Sequence, residues 1–142
     1  MNIEEELIKD EGKIPHVYKD HLGYYTIGVG TLIDERLGGG LRDSEIMFIL
    51  RNRIREARQE LDRVIPWWRG IGGDRGAVLL LMAFQLGVPR LMLFKRALYA
   101  IEREDFETGA DEMLDSKWAT QTPERAQRMA SIMRSGVAPA NG

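Results

Sequence analysis

The chain contains no cysteine, which excludes disulfides, thiolate metal sites and thiol catalysis together. Histidine is scarce. His16 and His21 are the only two, and no carboxylate spacing around them makes a metal-site signature, so no metal and no cofactor are expected. An excess of one charge is missing as well. The formal net charge is -2, so bulk attraction to nucleic acid or anionic lipid is not expected. Long apolar runs are absent. The longest, residues 77–84, is far too short to span a bilayer, and membrane insertion is not expected. No basic, apolar leader opens the chain, so synthesis in a bacterial cytoplasm without a signal peptide is the expectation. What remains is an ordinary composition, 44% hydrophobic and 30% charged over 142 residues, enough to build one unstapled core.

Periodicity supplies the elements. Asn2 followed by Glu5 reads as a capping box, Ile3, Leu7 and Ile8 form a helical stripe, and Gly12 suits the C′ position. Residues 17–19 and 24–32 are β-branched and aromatic around a turn at 20–23, which predicts a small antiparallel hairpin or meander. In the second strand Thr26, Gly28 and Gly30 share a bare face that admits either a ligand or a tight bend. After Gly38-Gly39-Gly40 comes a long helix, 43–64, with Met47, Leu50, Ile54, Ala57, Leu61 and Val64 as its stripe. Its start, 46–50, is apolar nearly all round, as expected of a helix joining two lobes. Residues 77–84 are apolar on every side and predict a central buried helix. Leu91, Phe94, Leu98 and Ile101 space one further helix; Phe106, Ala110, Met113 and Leu114 space another. Thr122 and Pro123 open a last helix, and the small, polar tail 135–142 is expected to fray.

Two carboxyl groups carry the chemical interest. On a helical wheel Glu11 falls between Leu7 and Ile8, inside an apolar arc and at a helix C-terminus. Desolvation and the helix dipole both disfavour its anion, as a general acid near neutral pH requires. The competing reading is a structural ion pair with an arginine. Asp20 sits at a strand end beside a turn, where aspartate commonly forms the turn. A solvated carboxylate near a protonated one is also the minimum equipment for glycoside hydrolysis. The Thr26 hydroxyl can hold a water, or serve only as a good β-former. Trp67 and Trp68 suit either sugar stacking or packing.

The runs Asp10-Glu11-Gly12, Tyr18-Lys19-Asp20, Gly23-Tyr24-Tyr25-Thr26-Ile27-Gly28-Val29-Gly30, Phe84-Gln85-Leu86-Gly87 and Trp118-Ala119-Thr120-Gln121-Thr122-Pro123-Glu124-Arg125-Ala126 resemble the T-even bacteriophage lysozymes, glycoside hydrolase family 24. The likeness covers nearly the whole chain in the same order. It implies a mainly helical α+β fold of two lobes, a small sheet lobe at about 13–50 and a helical lobe at about 51–134 that includes helix 2–12. It implies hydrolysis, with inversion, of the β-1,4 bond between N-acetylmuramic acid and N-acetylglucosamine in peptidoglycan. Glu11 then becomes the proton donor, Asp20 the residue serving the attacking water, and Thr26 its helper. Gly30, Leu32, Phe84 and Gln85 become cleft-lining positions. Arg125 lies near the catalytic glutamate, and Asp10 pairs with Arg128. The implied partner is the glycan strand, met by a monomer. Without a leader, the chain reaches the wall after release by another factor or as a domain of a larger protein.

The sequence departs from that pattern in places. Thr31 and Arg53 stand where the family has a histidine and its aspartate partner. Arg96 and Ala97 replace a small polar pair, Glu112 replaces an amide, and the segment 33–41 is short. The family is strongly basic, whereas this chain is slightly acidic. Two other readings stay open: a lysozyme fold reused for binding or scaffolding, and a transglycosylase that works with one acid.

Overall fold

The computed structural model describes residues 2–19, 22, 24–28, 31–32, 37 and 39–139, with side chains for all of these except 10, 11, 14–16 and 31. Among the described residues, eight helices and a three-stranded antiparallel sheet make a mainly helical α+β chain. It divides into two compact units, Met1–Arg51 and Asn52–Gly142.

The first unit opens with α1, Ile3–Glu11. The Asn2 side chain accepts from the Glu5 N–H at 3.2 Å, and Gly12, at φ +76°, stops the helix by donating its N–H to the Ile8 carbonyl. The sheet follows, with β2 (Tyr25–Gly28) between β1 (Ile14–Lys19) and β3 (Thr31–Leu32). Of the expected hairpin or meander the meander forms, the run 24–32 supplying both β2 and β3. Gly28 has φ +72°, outside extended geometry, so the ladder cannot run straight on. β1 also starts earlier than its apolar residues suggest, with a register irregularity between Ile14 and Tyr18.

Helix α2, Asp43–Val64, has the expected ends. Its stripe is buried only late. Leu61 is fully buried, Leu50, Ile54, Ala57 and Val64 are half-buried, and Ile46 to Ile49 are exposed.

The second unit holds the core. Helices α3 (Gly73–Leu86), α4 (Val88–Leu91), α5 (Lys95–Glu102), α6 (Phe106–Leu114), α7 (Lys117–Gln121) and α8 (Pro123–Ser135) complete the chain. α6 packs on α5 and α8, and α3 on α4 and α8. Leu61, Ile65, Leu79, Leu91, Ile101, Met113 and Met133 are buried at 2% exposure or less. Each such side chain contributes roughly 1.5–3 kcal/mol. Gly109 is the closest approach: a Cβ there would lie 2.6 Å from Ile101 Cγ1, so only glycine lets α6 meet α5 this tightly.

Four expectations need correction here. The helix drawn through Leu91, Phe94, Leu98 and Ile101 is broken into α4 and α5. Residues 91–94 are four large apolar side chains in a row, which no single helical stripe accommodates. A tight turn, Leu93 N–H to Arg90 O and Phe94 N–H to Leu91 O, buries Leu91 while leaving Leu93 at 73% exposure. Helix α3 is not buried all round: Val78, Leu79, Met82 and Ala83 face the core, but Leu81 and Phe84 are exposed. Thr122 holds the N-cap position of α8, yet its hydroxyl donates back to the Trp118 carbonyl at 3.0 Å. Finally, the tail is tied down as far as residue 138, whose N–H donates to Asp74 Oδ2 at 2.6 Å.

Candidate functional site

The end of α1 fixes the backbone of Glu11 as the last helical residue before Gly12. The side chains of Glu11 and Asp10 lie outside the described residues, as do Asp20 and Gly30 entirely. β1 ends at Lys19, immediately before Asp20 in the chain. Thr26 is in the central strand, opposite Tyr18 on one side and Leu32 on the other. It is 4% exposed, and its hydroxyl donates to the Tyr24 carbonyl at 3.3 Å. The face expected to be bare is therefore closed at Thr26. Leu32, its cross-strand neighbour, is 40% exposed. The sheet sets Thr26 and Leu32 side by side across β2 and β3.

In the second unit, Phe84, Gln85, Arg125 and Arg128 line one depression of ≈ 450 Å³, together with Leu81, Met82, Trp118 and Met129. Helical spacing explains the grouping. Leu81, Phe84 and Gln85 stand at i, i+3 and i+4 on α3, and Arg125, Arg128 and Met129 do the same on α8. Sequence reasoning missed Leu81 and Met129 as lining residues, although this spacing was the available signal.

Gln85 has a structural duty. Its Oε1 accepts from the Trp118 indole at 3.0 Å, and Trp118 is buried against Phe94, edge to face at 5.9 Å. Because the indole only donates, the amide NH2 of Gln85 is left as a donor at the depression. Among the described residues, the charged groups of the lining are the two exposed arginines, beside an apolar and aromatic surface.

The tryptophan pair resolves toward packing. Trp68 is 5% exposed and donates its indole N–H to Asp62 Oδ1 at 2.7 Å, while Trp67 packs half-buried against the core. Arg69 grips the same carboxylate through Nε and Nη2. That guanidinium first, and the Trp68 indole second, hold the Asp62 carboxyl below its ordinary range. Among the described residues, no group of three or more histidines, aspartates or glutamates is placed to hold a metal ion, and no helix is long and apolar enough to cross a membrane.

No family model matches the chain. Individual relatives do. Probable T4-type lysozyme 1 of Dictyostelium discoideum is 30% identical over 162 aligned positions that take in 96% of this chain and 95% of that protein. The chain belongs to the T4-type lysozyme family. The alignment is longer than this T4-type chain itself, so the relative carries insertions against it. The pre-baseplate central spike protein Gp5 of Enterobacteria phage T4 is 29% identical, over 96% of this chain but 28% of its own length. Peptidoglycan hydrolase gp36 of Pseudomonas phage phiKMV is 29% identical, over 94% of this chain and 15% of its own length. The family unit thus occurs both as nearly a whole protein and as a small part of a longer one.

Proposed function

We propose that this chain is a peptidoglycan hydrolase, a muramidase that cleaves the β-1,4 bond between N-acetylmuramic acid and N-acetylglucosamine with inversion. The observation that carries the reading is the match to a T4-type lysozyme over 96% of this chain and 95% of the relative. Glu11, at the C-terminal end of α1, is the general acid. The partial negative charge of that helix end favours its neutral form. Its proton goes to the leaving glycosidic oxygen as the bond to C1 breaks. Asp20 takes a proton from the water that attacks C1 from the opposite face, and Thr26 orients that water. The chain is one lysozyme-like domain in this reading, made of the two units described above.

The lining of Phe84, Gln85, Arg125 and Arg128 supports this assignment for the helical side. Aromatic and apolar surface suits the faces of sugar rings, and the Gln85 NH2 suits an acetamido carbonyl. In this reading Arg125 and Arg128 on α8, and Asp10 on α1, are supporting residues. The partner is the glycan strand and the working form is a monomer. The chain acts on wall murein after release by another factor, or within a larger assembly.

A second reading draws on the similarity to the spike protein Gp5: the fold serves binding or scaffolding, with reduced turnover. Turbidity of purified murein sacculi separates the two. Wild-type protein clears them and Glu11→Gln does not, and the digest contains reducing ends. Equal clearing by both proteins refutes Glu11 as the acid. Tight binding with no released ends favours scaffolding, and 1,6-anhydro products identify a transglycosylase instead.

A further inference from the structure

Charge is unevenly spread over the helical unit. Residues 88–103 hold four cations, Arg90, Lys95, Arg96 and Arg103, against one acid, Glu102, in a chain whose net charge is -2. All four cations are exposed, and none makes an ion pair with a described residue. Arg42, Arg69 and Arg134, by contrast, are held by carboxylates. The same stretch carries apolar side chains that the fold turns outward. The tight turn between α4 and α5 leaves Leu93 at 73% exposure and Met92 at 37%, and Tyr99 on α5 is 62% exposed. Among the described residues, Leu93 is the most exposed large apolar side chain of the second unit.

Helix α5 explains the grouping. Ala97, Leu98 and Ile101 turn to the core, so the other face presents Lys95, Arg96, Tyr99 and Arg103. Arg103 Nη1 donates to the Tyr99 hydroxyl at 2.6 Å, and its guanidinium lies 5.0 Å from the ring centroid, which steadies the exposed ring. Trp67, Met92, Lys95 and Tyr99 line one shallow depression of ≈ 260 Å³, so the apolar surface runs on from the turn. Beside it, Lys95, Arg96 and Arg103 outnumber Asp105 and Glu112 in a second depression of ≈ 470 Å³. An apolar tip among free cations has two kinds of complement, a protein with an acidic rim or an anionic lipid surface. Area decides between them. Three partly exposed side chains fall short of the roughly 800 Å² per partner of a standard protein interface. A bilayer surface needs no such area or matching shape. It takes an apolar tip at the acyl boundary, a tyrosine at headgroup level and cations against anionic headgroups.

We propose that the turn between α4 and α5, with the outer face of α5, is a peripheral anchor for an anionic lipid surface. Leu93 and Met92 enter the acyl boundary, Tyr99 lies among the headgroups, and Arg90, Lys95, Arg96 and Arg103 meet headgroup phosphates. The contact is superficial, since no helix among the described residues is long and apolar enough to cross a membrane. The acids Glu102, Asp105 and Glu112 nearby weaken it. The inference stands apart from the muramidase reading, because none of these side chains belongs to the residues assigned to the reaction or to the depression of Phe84 and Gln85.

The test is co-sedimentation of the whole chain with vesicles of equal parts phosphatidylglycerol and phosphatidylcholine, and with vesicles of phosphatidylcholine alone. The protein is expected to pellet with the first and not with the second, and to be released as salt is added. Leu93→Ser is expected to lower the partition about tenfold, the lower end of what burying one leucine contributes. Lys95→Gln and Arg96→Gln are each expected to lower it about fivefold. These positions are exposed, and circular dichroism checks that every variant keeps the wild-type fold. Three results overturn the proposal: no preference for the anionic vesicles, binding to them that Leu93→Ser leaves unchanged, or self-association without lipid that the same substitution abolishes. The last assigns the patch to a second copy of the chain. Vesicle binding by a chain that clears no murein sinks only the enzyme, and clearing by a chain that ignores vesicles sinks only the anchor.

Discussion

Arg75 offers the sharpest test of how the helical unit is held together. It stands in the first turn of α3, but its guanidinium caps the far end of the chain. Nε donates to the Met133 carbonyl at 2.8 Å and Nη2 to the Arg134 carbonyl at 2.7 Å, which are last-turn acceptors of α8 with no partner inside the helix. The same group lies 3.7 Å from the centroid of Phe106 at the start of α6. One side chain thus joins α3, α6 and α8. Two charge-assisted hydrogen bonds at a half-buried site contribute about 3 kcal/mol together, at the lower end of their range. The cation–π stack adds about 1 kcal/mol. Arg75→Ala is then expected to cost about 3–4 kcal/mol, or roughly 10 °C in Tm for a chain of this size. Arg75→Lys keeps the charge but loses the fork and recovers less than half. Urea melts followed by circular dichroism give the values, and a double-mutant cycle with Phe106→Leu isolates the stack at about 1 kcal/mol. A loss below about 1 kcal/mol for Arg75→Ala, at unchanged m, refutes the argument, because only an exposed arginine is that dispensable.

Gly109→Ala is expected to destabilise by about 1–3 kcal/mol in the same melts, because the clash with Ile101 Cγ1 outweighs alanine's better helix propensity of about 1 kcal/mol. Relief of the defect by Ile101→Ala in the same molecule supports the clash as its cause. Gln85→Leu leaves the buried Trp118 indole N–H without its acceptor and is expected to cost about 1–3 kcal/mol, with a changed near-ultraviolet spectrum. An unchanged spectrum and stability would show that water or another acceptor replaces Gln85. For Asp62 the sign is set by a folded-state pKa held below the unfolded one. Its ion pair therefore stabilises fully above the unfolded value of about 4 and fades as pH falls through the lower folded value. Stability of wild type relative to Asp62→Asn should be level from about pH 5 to 7 and shrink toward pH 2; a gap that widens in acid contradicts the assignment.

The parts of the fold visible in the sequence are those determined by neighbours along the chain. Helix α2 could be read to its ends because a glycine run precedes it and Pro66 follows. The Asn2 cap, Gly12 and the pairing of β1 with β2 are equally local. The interruption between α4 and α5 was not visible, since a stripe through Leu91, Phe94, Leu98 and Ile101 satisfies helical spacing while ignoring Met92 and Leu93. Short α7, opened by Ser116 capping the Ala119 N–H, was too brief for periodicity to register. Arg75 had no signature at all, because its acceptors lie 58 and 59 residues away in the chain. At the candidate site, Phe84 and Gln85 came from resemblance, and spacing on α3 and α8 then explains why they meet Arg125 and Arg128.

The distribution of burial bears on how any substitution at the catalytic candidates is to be read. Every buried hydrophobic side chain among the described residues lies at Leu61 or beyond, whereas Glu11, Asp20 and Thr26 all precede residue 52. Stability therefore resides in the helical unit. Thr26 is the one buried side chain among the described residues of the first unit, and its hydroxyl already has the Tyr24 carbonyl as partner. Replacing it alters a packed position of the sheet as well as a group assigned to water. Loss of activity at Thr26 alone thus supports either role. Loss at Glu11, on an α1 whose described apolar side chains, Ile3, Leu7 and Ile8, are exposed, disturbs no buried packing of those side chains. The weight of the enzymatic argument accordingly belongs on the acid at the end of α1, with the sheet hydroxyl as its support.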